Sequence, residues 1–141
     1  MTRKHIFDFI KRQKLAMVAS VDAEGYPNIK AMFAPKKIEG NHFYFSTNTS
    51  SLRAKQFMEN PKASVYFYRK GIFRYVGVMM VGTMEVLQDE GIKREIWSKG
   101  DIIYYREGVT DPDYCVLKFT AEKGRYYCDL KNESFIIEEL A

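Results

Sequence analysis

The chain has 141 residues, of which 46% are hydrophobic and 15% aromatic, and its net charge is +4. This length and apolar content predict a single domain over residues 1–141 with a buried core, and they exclude an intrinsically disordered chain. The moderate positive charge suits a small anionic ligand. It falls short of the concentrated basic surface of a dedicated nucleic-acid-binding protein, so we predict no nucleic-acid partner.

Two cysteines and two histidines are present, and none of them forms a cluster with the spacing of a zinc site. We therefore predict no metal. No apolar run reaches the length of a membrane span, and the amino terminus lacks the pattern of a cleaved signal. These features predict a cytoplasmic protein with reduced cysteines and no membrane partner.

The first elements predicted are a helix and a β-hairpin. Thr2 is a suitable N-cap for a helix that continues to about Gln13, with apolar residues on one face. The apolar run 15–21 predicts a strand, and residues 26–33 predict the strand that returns after a turn. Lys30 is unusual because it lies in mid-strand between apolar residues, although a solvent-facing lysine explains it equally well.

An aromatic strand, a polar turn and a short helix are predicted within residues 42–61. Aromatic residues 43–45 favour extended backbone, and the helix that follows ends at Asn60-Pro61. The start of this helix carries unpaired N–H groups and a partial positive charge. Arg53 and Lys55 add full positive charges, so a bound phosphate would satisfy the region. The pattern alone nevertheless favours an ordinary N-cap with Arg53 and Lys55 solvated.

The second half of the chain is predicted to be largely strand. Strands are expected over residues 63–68, 73–87, 114–121, 125–130 and 135–139. Gly77 and Gly82 indicate a β-bulge or a close backbone approach. Asp89 is a suitable cap for a helix to about Trp97. Residues 98–113 form the longest irregular stretch, which is typical of a functional or interface loop.

These elements amount to about seven strands and two or three short helices, a mainly β fold. Because short turns join most strands and strand edges need protection, we predict a closed or nearly closed antiparallel barrel. No serine lies in a nucleophile elbow and no carboxylates are paired, so the catalytic residues are left unassigned. Cys115, which lies between Tyr114 and Val116, is predicted to be a buried apolar residue.

Residues 43–56 and 60–65 together carry a resemblance to a known family. They read Phe-Tyr-Phe-Ser-Thr-Asn-Thr-Ser-Ser-Leu-Arg-Ala-Lys-Gln and Asn-Pro-Lys-Ala-Ser-Val. Following a hairpin that carries a basic residue, this combination resembles the pyridoxamine 5′-phosphate oxidase-like superfamily of FMN-binding split barrels. The resemblance covers residues from about 15 to 119. It implies an antiparallel split β-barrel, an FMN cofactor and a homodimer with the cofactor at the subunit interface.

The same resemblance implies a set of cofactor-binding residues. They are Lys30, Ala31, Met32, Ser46, Thr47, Ser51, Arg53 and Lys55. The first three would line the edge of the isoalloxazine ring, and the next two would approach the ribityl chain and phosphate. The last three would hold the phosphate. Gly77 aligns with a position near the flavin that is often polar in relatives, and Tyr104 and Tyr105 are expected to need cover in the homodimer.

Residues 135–141 lack the carboxy-terminal arginine and histidine motif of authentic pyridoxamine phosphate oxidases, so vitamin B6 oxidation is disfavoured. The resemblance instead implies a small flavoprotein of the general-stress or flavin-reductase-like kind. We expect an oxidoreductase that transfers electrons or hydride to a small-molecule redox substrate, with NADH or NADPH as a candidate donor. The alternatives are a deazaflavin in place of FMN, and a non-catalytic protein that stores or senses a flavin or binds haem.

Overall fold

The computed structural model describes residues 2–137 of the chain, and these residues form eight β-strands, three α-helices and two 3₁₀ helices. The helices are α1 (Arg3–Lys11), α2 (Leu52–Glu59) and α3 (Glu90–Ile96), and the 3₁₀ helices are Lys99–Ile103 and Gly108–Thr110. The strands are β1 (Leu15–Val21), β2 (Pro27–Phe33), β3 (Lys37–Glu39), β4 (His42–Asn48), β5 (Lys62–Lys70), β6 (Tyr75–Leu87), β7 (Tyr114–Cys128) and β8 (Lys131–Ile136).

All eight strands belong to one antiparallel sheet. Its order is β2-β1-β5-β6-β7-β4-β3, and β8 pairs with the second half of β7. The first half of β7 pairs with β4, so this long strand joins the two parts of the sheet. Strands β2 and β3 lie at its two ends, which are not paired with each other. The predicted mainly β, antiparallel architecture is confirmed.

The predicted helix caps at Thr2 and Asp89 are present, and the N-cap expected for the second helix is Ser51. The Thr2 side chain accepts the His5 N–H at 3.2 Å, and the Asp89 side chain accepts the Ile92 N–H at the same distance. The Ser51 side chain accepts the Ala54 N–H at 3.1 Å. Each cap satisfies an N–H group that the first helical turn leaves unpaired. Helix α1 ends at Lys11, two residues earlier than predicted.

One short strand and the final turns differ from the prediction. Residues 37–39 form the additional strand β3, and β7 continues through residues 122–124, where a turn was expected. Within β7, position 124 requires glycine because a Cβ atom there would collide with the Met79 carbonyl oxygen. The actual turn lies at Asp129, whose φ of 55° is tolerated by aspartate. The predicted last strand extended to residue 139, and residues 138–139 lie outside the described part.

The core lies on the inner face of the sheet. Val18, Val65 and Phe67 are fully buried there, and α1 contributes Ile6 and Ile10. Each such side chain contributes roughly 1.5–3 kcal/mol to folding through burial. This packing fixes the strands that frame the open part of the sheet.

The predicted irregularity in β6 is also confirmed. The register between β6 and β7 shifts between Val81 and Gly82, and a Cβ atom on Gly82 would collide with the Thr120 carbonyl oxygen. At Gly77 a Cβ atom would meet the Tyr66 hydroxyl. Glycine is therefore required at Gly82 by a close backbone approach. No helix within residues 2–137 is long and apolar enough to cross a membrane.

Candidate functional site

A cleft of about 910 Å³ lies beside the open edge of strand β2. Its volume falls in the upper part of the range of small-molecule sites, roughly 300–1,000 Å³. Two walls enclose it. The sheet wall consists of residues 30–34 with Leu15 and Lys36, residues 46–48 and Arg53. The loop wall consists of Gly100, Asp101, Ile103, Tyr104, Tyr105 and Asp113.

The alternation of strand β2 places Lys30 and Met32 on the inner side of the sheet. These two residues pair across the ladder with Val18 and Ala16, which are both fully buried. Directly paired residues share one face, so the Lys30 side chain lies on the core side, where the open edge leaves it exposed. The structure therefore does not place Lys30 on the outer, solvent-facing side of the sheet.

The backbone of β2 presents polar groups to the cleft. Hydrogen bonds from Ala34 N–H to Lys14 O and from Asp22 N–H to Tyr26 O fix the alternation of the hairpin ladder. By that alternation, the N–H and C=O groups of Ala31 and Phe33 point away from β1, towards the open edge. Both residues line the cleft. A bound ligand can therefore exchange both donor and acceptor hydrogen bonds with this edge.

The end of β4 contributes the polar side chains of Ser46, Thr47 and Asn48. Thr47 is buried, and Ser46 Oγ lies 3.2 Å from the hydroxyl oxygen of Tyr114. Because β7 pairs with β4 along residues 46–48, these side chains are carried by a hydrogen-bonded strand. Asn48 donates to Ser50 Oγ at 2.8 Å and so begins the turn that leads into α2.

Arg53 lies in the first turn of α2 and is half-buried at the cleft. Its Nε atom is buried and has no hydrogen-bond partner within residues 2–137. Burial without a compensating partner lowers the pKa of the Arg53 guanidinium, because desolvation penalises its charged form. A buried donor that is left unsatisfied costs free energy, so an anionic ligand at this position would be stabilising.

Two of the eight residues implied by the resemblance do not line the cleft. The Ser51 side chain is occupied as the N-cap of α2, and Lys55 is exposed on the same helix. Successive residues of a helix are rotated by 100°, so Arg53 and Lys55 project in different directions. The remaining six residues line the cleft: Lys30, Ala31, Met32, Ser46, Thr47 and Arg53.

The loop wall is held against the sheet wall by an ion pair. Lys36 Nζ lies 3.3 Å from Asp101 Oδ1 and donates to Ser98 Oγ at 3.1 Å. The other carboxylate oxygen of Asp101 accepts the Ser98 N–H at 2.9 Å. Tyr105 is buried within the same chain, which corrects the expectation that a second subunit covers it, whereas Tyr104 is exposed at the cleft.

An aromatic cluster supports this wall from behind. The ring centroids of Trp97 and Tyr114 are 5.1 Å apart, and those of Tyr105 and Tyr114 are 4.9 Å apart. Burial raises the pKa of the Tyr105 hydroxyl. Trp97 therefore packs behind Tyr105 and does not line the cleft itself. Cys115 is fully buried, as predicted.

Asp113 joins the loop wall to the turn before α2. Its carboxylate accepts hydrogen bonds from Thr49 Oγ1 at 2.9 Å, from Ser50 N–H at 2.9 Å and from Ser50 Oγ at 3.2 Å. These bonds, with that from the Ser50 N–H the largest contribution, hold the pKa of Asp113 below its ordinary value. In the sequence, this residue belongs to the unusually long irregular segment 98–113.

The charges in the cleft leave an excess of positive charge. Asp101 pairs with Lys36, and the Asp113 carboxylate is occupied by its three donors. Lys30 and Arg53 have no ion-pair partner within residues 2–137. Neither histidine lines the cleft, and the described part contains no group of three or more residues able to hold a metal. The cleft is therefore suited to an anionic organic ligand.

The fold is that of the split barrels. A structure of a protein from Clostridium acetobutylicum, related to general stress protein 26 and assigned to the pyridoxinephosphate oxidase family, superposes with a TM-score of 0.86. It is 40% identical, and the alignment covers 97% of this chain and 95% of that one. The family model for pyridoxamine 5′-phosphate oxidase matches residues 2–128. The chain therefore belongs to the pyridoxamine 5′-phosphate oxidase family.

Curated and more distant relatives share less with the chain. The pyridoxine/pyridoxamine 5′-phosphate oxidase of Legionella pneumophila is 39% identical over 69 residues, which are 48% of this chain and 32% of that enzyme. The match thus spans about a third of the length of this curated relative. A haem-binding protein from Mycobacterium smegmatis superposes with a TM-score of 0.76 at 13% identity, covering 94% of this chain and 56% of that one. At this identity, only the fold is shared.

Proposed function

We propose that the chain binds FMN in the cleft and acts as a homodimeric, FMN-dependent oxidoreductase on a small-molecule redox substrate. The observation that carries the proposal is Arg53, a half-buried cation at the cleft whose Nε atom lacks a partner within residues 2–137. A phosphate group accepts charge-assisted hydrogen bonds from a guanidinium, so FMN would satisfy this atom.

The rest of the cleft suits the ring system of a flavin. The free backbone groups of Ala31 and Phe33 offer both a donor and an acceptor, which matches the alternating polar atoms along the pyrimidine edge of the ring. Met32 offers an apolar contact, and Ser46 and Thr47 offer hydroxyl groups to the ribityl chain. These are the roles that family membership implies for the same positions.

FMN, when bound, would supply the electron and hydride chemistry. The residues of the chain bind and orient the cofactor: Arg53 holds its phosphate, and the edge of β2 fixes the plane of its ring. Lys30 adds a positive charge that favours negatively charged ligands at the cleft. We assign no catalytic residue.

The outer face of the sheet supports the proposed homodimer. Ala31, Met17, Tyr66 and Met79 follow one another in register across β2, β1, β5 and β6, so they share this face. Ile29 on the same face is 66% exposed. A broad apolar face of this kind marks an interface, and we propose a second copy of the chain as its occupant. The face continues into β2, which would place the cofactor close to the interface.

The decisive experiment compares FMN with riboflavin, which has the same ring and no phosphate. We expect FMN to bind about tenfold to a hundredfold more tightly, since a charge-assisted contact contributes roughly 1.5–3 kcal/mol. Arg53→Ala should remove most of this difference and leave riboflavin affinity unchanged. Lys55→Ala on the same helix is the matched control and should retain the difference. Equal losses for both ligands in Arg53→Ala would contradict a phosphate role.

A melting experiment compares FMN with the alternative cofactors. Saturating FMN at a hundredfold excess over its Kd should stabilise the fold by about 2.7 kcal/mol, or roughly 5–10 °C in Tm. Haem and a deazaflavin are run beside it, because a haem-binding protein shares the fold. A shift with haem alone would overturn the choice of FMN. Turnover is tested separately by oxidation of NADH or NADPH with added electron acceptors, and its absence would leave a non-catalytic flavin-binding protein.

Light scattering during size exclusion tests the homodimer. At micromolar concentration the mass should be about twice the 16.5 kDa of one chain. Ile29→Asp places a charge on the outer face and should shift the mass towards that of the monomer. Met58→Asp, an equally exposed position on α2, is the control and should leave the dimer intact. A monomeric wild-type protein that still binds FMN tightly would contradict the shared site.

A further inference from the structure

Asp113 fixes the turn that precedes α2 through four hydrogen bonds. Besides its three side-chain bonds, its carbonyl oxygen accepts the Thr49 N–H at 2.7 Å. The N–H and hydroxyl groups of both Thr49 and Ser50 therefore donate hydrogen bonds to Asp113. The first residue of β7 follows directly, so the turn is attached to the longest strand of the sheet.

These bonds change which groups remain available to a bound anion. The hydroxyl groups of Thr49 and Ser50 already contact an internal carboxylate, and the Ser51 hydroxyl caps α2. The hydroxyl groups of residues 49–51 therefore have a structural role. Arg53, three residues after Ser50, is the cleft-lining group of this region that retains an unsatisfied, buried donor within residues 2–137.

The geometry points to Asp113 as a positioning residue that holds this turn so that Arg53 faces the phosphate of the ligand. The inference rests on the proposed function. An unpaired cation is not held in place by a contact of its own, so its direction depends on the backbone that carries it. That backbone is fixed by the N-cap at Ser51 on one side and by the bonds to Asp113 on the other.

Asp113 also has an effect that opposes the binding of an anionic ligand. Its negative charge lies at the same cleft and repels a phosphate, so its removal would strengthen binding if this repulsion dominated. Three donors already compensate the carboxylate, which weakens the repulsion. When Asp113 is removed, we therefore expect the poorer positioning of Arg53 to lower FMN affinity more than the loss of this repulsion raises it.

The test measures FMN and riboflavin affinity by flavin fluorescence in three variants. Asp113→Ala should weaken FMN by about tenfold and leave riboflavin unchanged. Asp113→Asn keeps one acceptor oxygen for the Ser50 N–H and should show a smaller loss. Asp129→Asn is the control for net charge: Asp129 accepts the Tyr75 N–H at the opposite end of β7, and its positive φ tolerates asparagine. It should behave as the wild type.

Amide hydrogen exchange in the ligand-free protein provides a readout that needs no cofactor. Asp113→Ala should accelerate exchange in residues 48–53, whereas Asp129→Asn should not. Equal losses for FMN and riboflavin, unchanged exchange, or a rise in FMN affinity would each overturn the positioning role. Failure of the proposed function gives a different result, since the wild type would then bind FMN no better than riboflavin while the exchange difference persisted.

Discussion

The two walls of the cleft are built in different ways. The sheet wall comes largely from strands held by ladders of backbone hydrogen bonds, and it presents backbone atoms, short polar side chains and the two cations Lys30 and Arg53. The loop wall contains one short 3₁₀ helix, Lys99–Ile103, which is packed on the aromatic cluster. Its polar attachments are chiefly Lys36 with Asp101 and Asp113 with the turn before α2. Rigid backbone thus frames one side of the ligand, and a small number of polar contacts determines the other.

This difference indicates where the chain can vary without losing its fold. Removing one side chain of the sheet wall leaves the ladder intact, whereas removing Asp101 or Asp113 takes away one of the few polar attachments of the loop wall and leaves only its aromatic packing on Tyr114. We therefore expect the position of the loop wall to depend on these two carboxylates.

The first prediction concerns the two cysteines, which lie at opposite ends of β7. Burial raises the pKa of Cys115 to about 12, from an ordinary value of 9.0. At pH 8 this thiol carries roughly a thousandth of the thiolate that it would carry at the ordinary pKa. Cys128 is half-buried. A thiol reagent should therefore modify one cysteine per native chain rapidly, and the second only when the chain unfolds.

Mass spectrometry of the modified peptides identifies which cysteine reacts. Unfolding in denaturant is the control and should make both thiols react at similar rates. Rapid modification of Cys115 in the native protein would show that the segment around Asp113 opens frequently. The loop wall would then not be a fixed surface.

The second prediction concerns Asp101, the main attachment of the loop wall. Asp101→Ala leaves Lys36 without its partner and the Ser98 N–H without its acceptor. The side chains of Lys36 and Asp101 are 27% and 11% exposed, so the cost is less than for a fully buried pair. We expect the free energy of unfolding to fall by about 2–3 kcal/mol in urea denaturation.

Glu90→Ala is the matched control for this change. It removes the partner of Arg94 in an exposed pair on α3, and we expect a loss below about 0.5 kcal/mol. If Asp101→Ala and Glu90→Ala had equal effects, the ion pair of the loop wall would have no special role.

The contrast between the walls also explains what the sequence could predict. The aromatic strand, the cap at Ser51 and the helix that carries Arg53 all lie within residues 42–59, so local patterns identify them. The bonds of the loop wall join Lys36 to Asp101 and Ser50 to Asp113, residues more than sixty positions apart. No local pattern reports such pairs, and the sequence indicated only that the 98–113 segment was unusually long.

The errors in the last strands have a related cause. Charged residues and glycine in residues 122–125 are typical of a turn, yet β7 passes through them. The reason is tertiary: Gly124 lies against the Met79 carbonyl oxygen and the Phe135 ring, where a Cβ atom does not fit. The same residue type therefore marks a turn or a close contact, and only the neighbouring strands decide between them.

The third and smallest effect concerns Arg53 in the ligand-free protein. Its charge is partly desolvated and its Nε atom has no partner within residues 2–137, so it contributes little to folding in the absence of a ligand. Arg53→Met keeps a long apolar side chain without the charge. We expect the free energy of unfolding in denaturant titrations to stay constant or rise by up to about 1 kcal/mol, while FMN affinity falls. Lys55→Met, at an exposed site on the same helix, should change neither quantity. A stability loss of 2 kcal/mol or more in Arg53→Met, a magnitude typical of a broken buried contact, would mean that Arg53 has a structural partner. The sheet wall would then depend on a side-chain contact as the loop wall does.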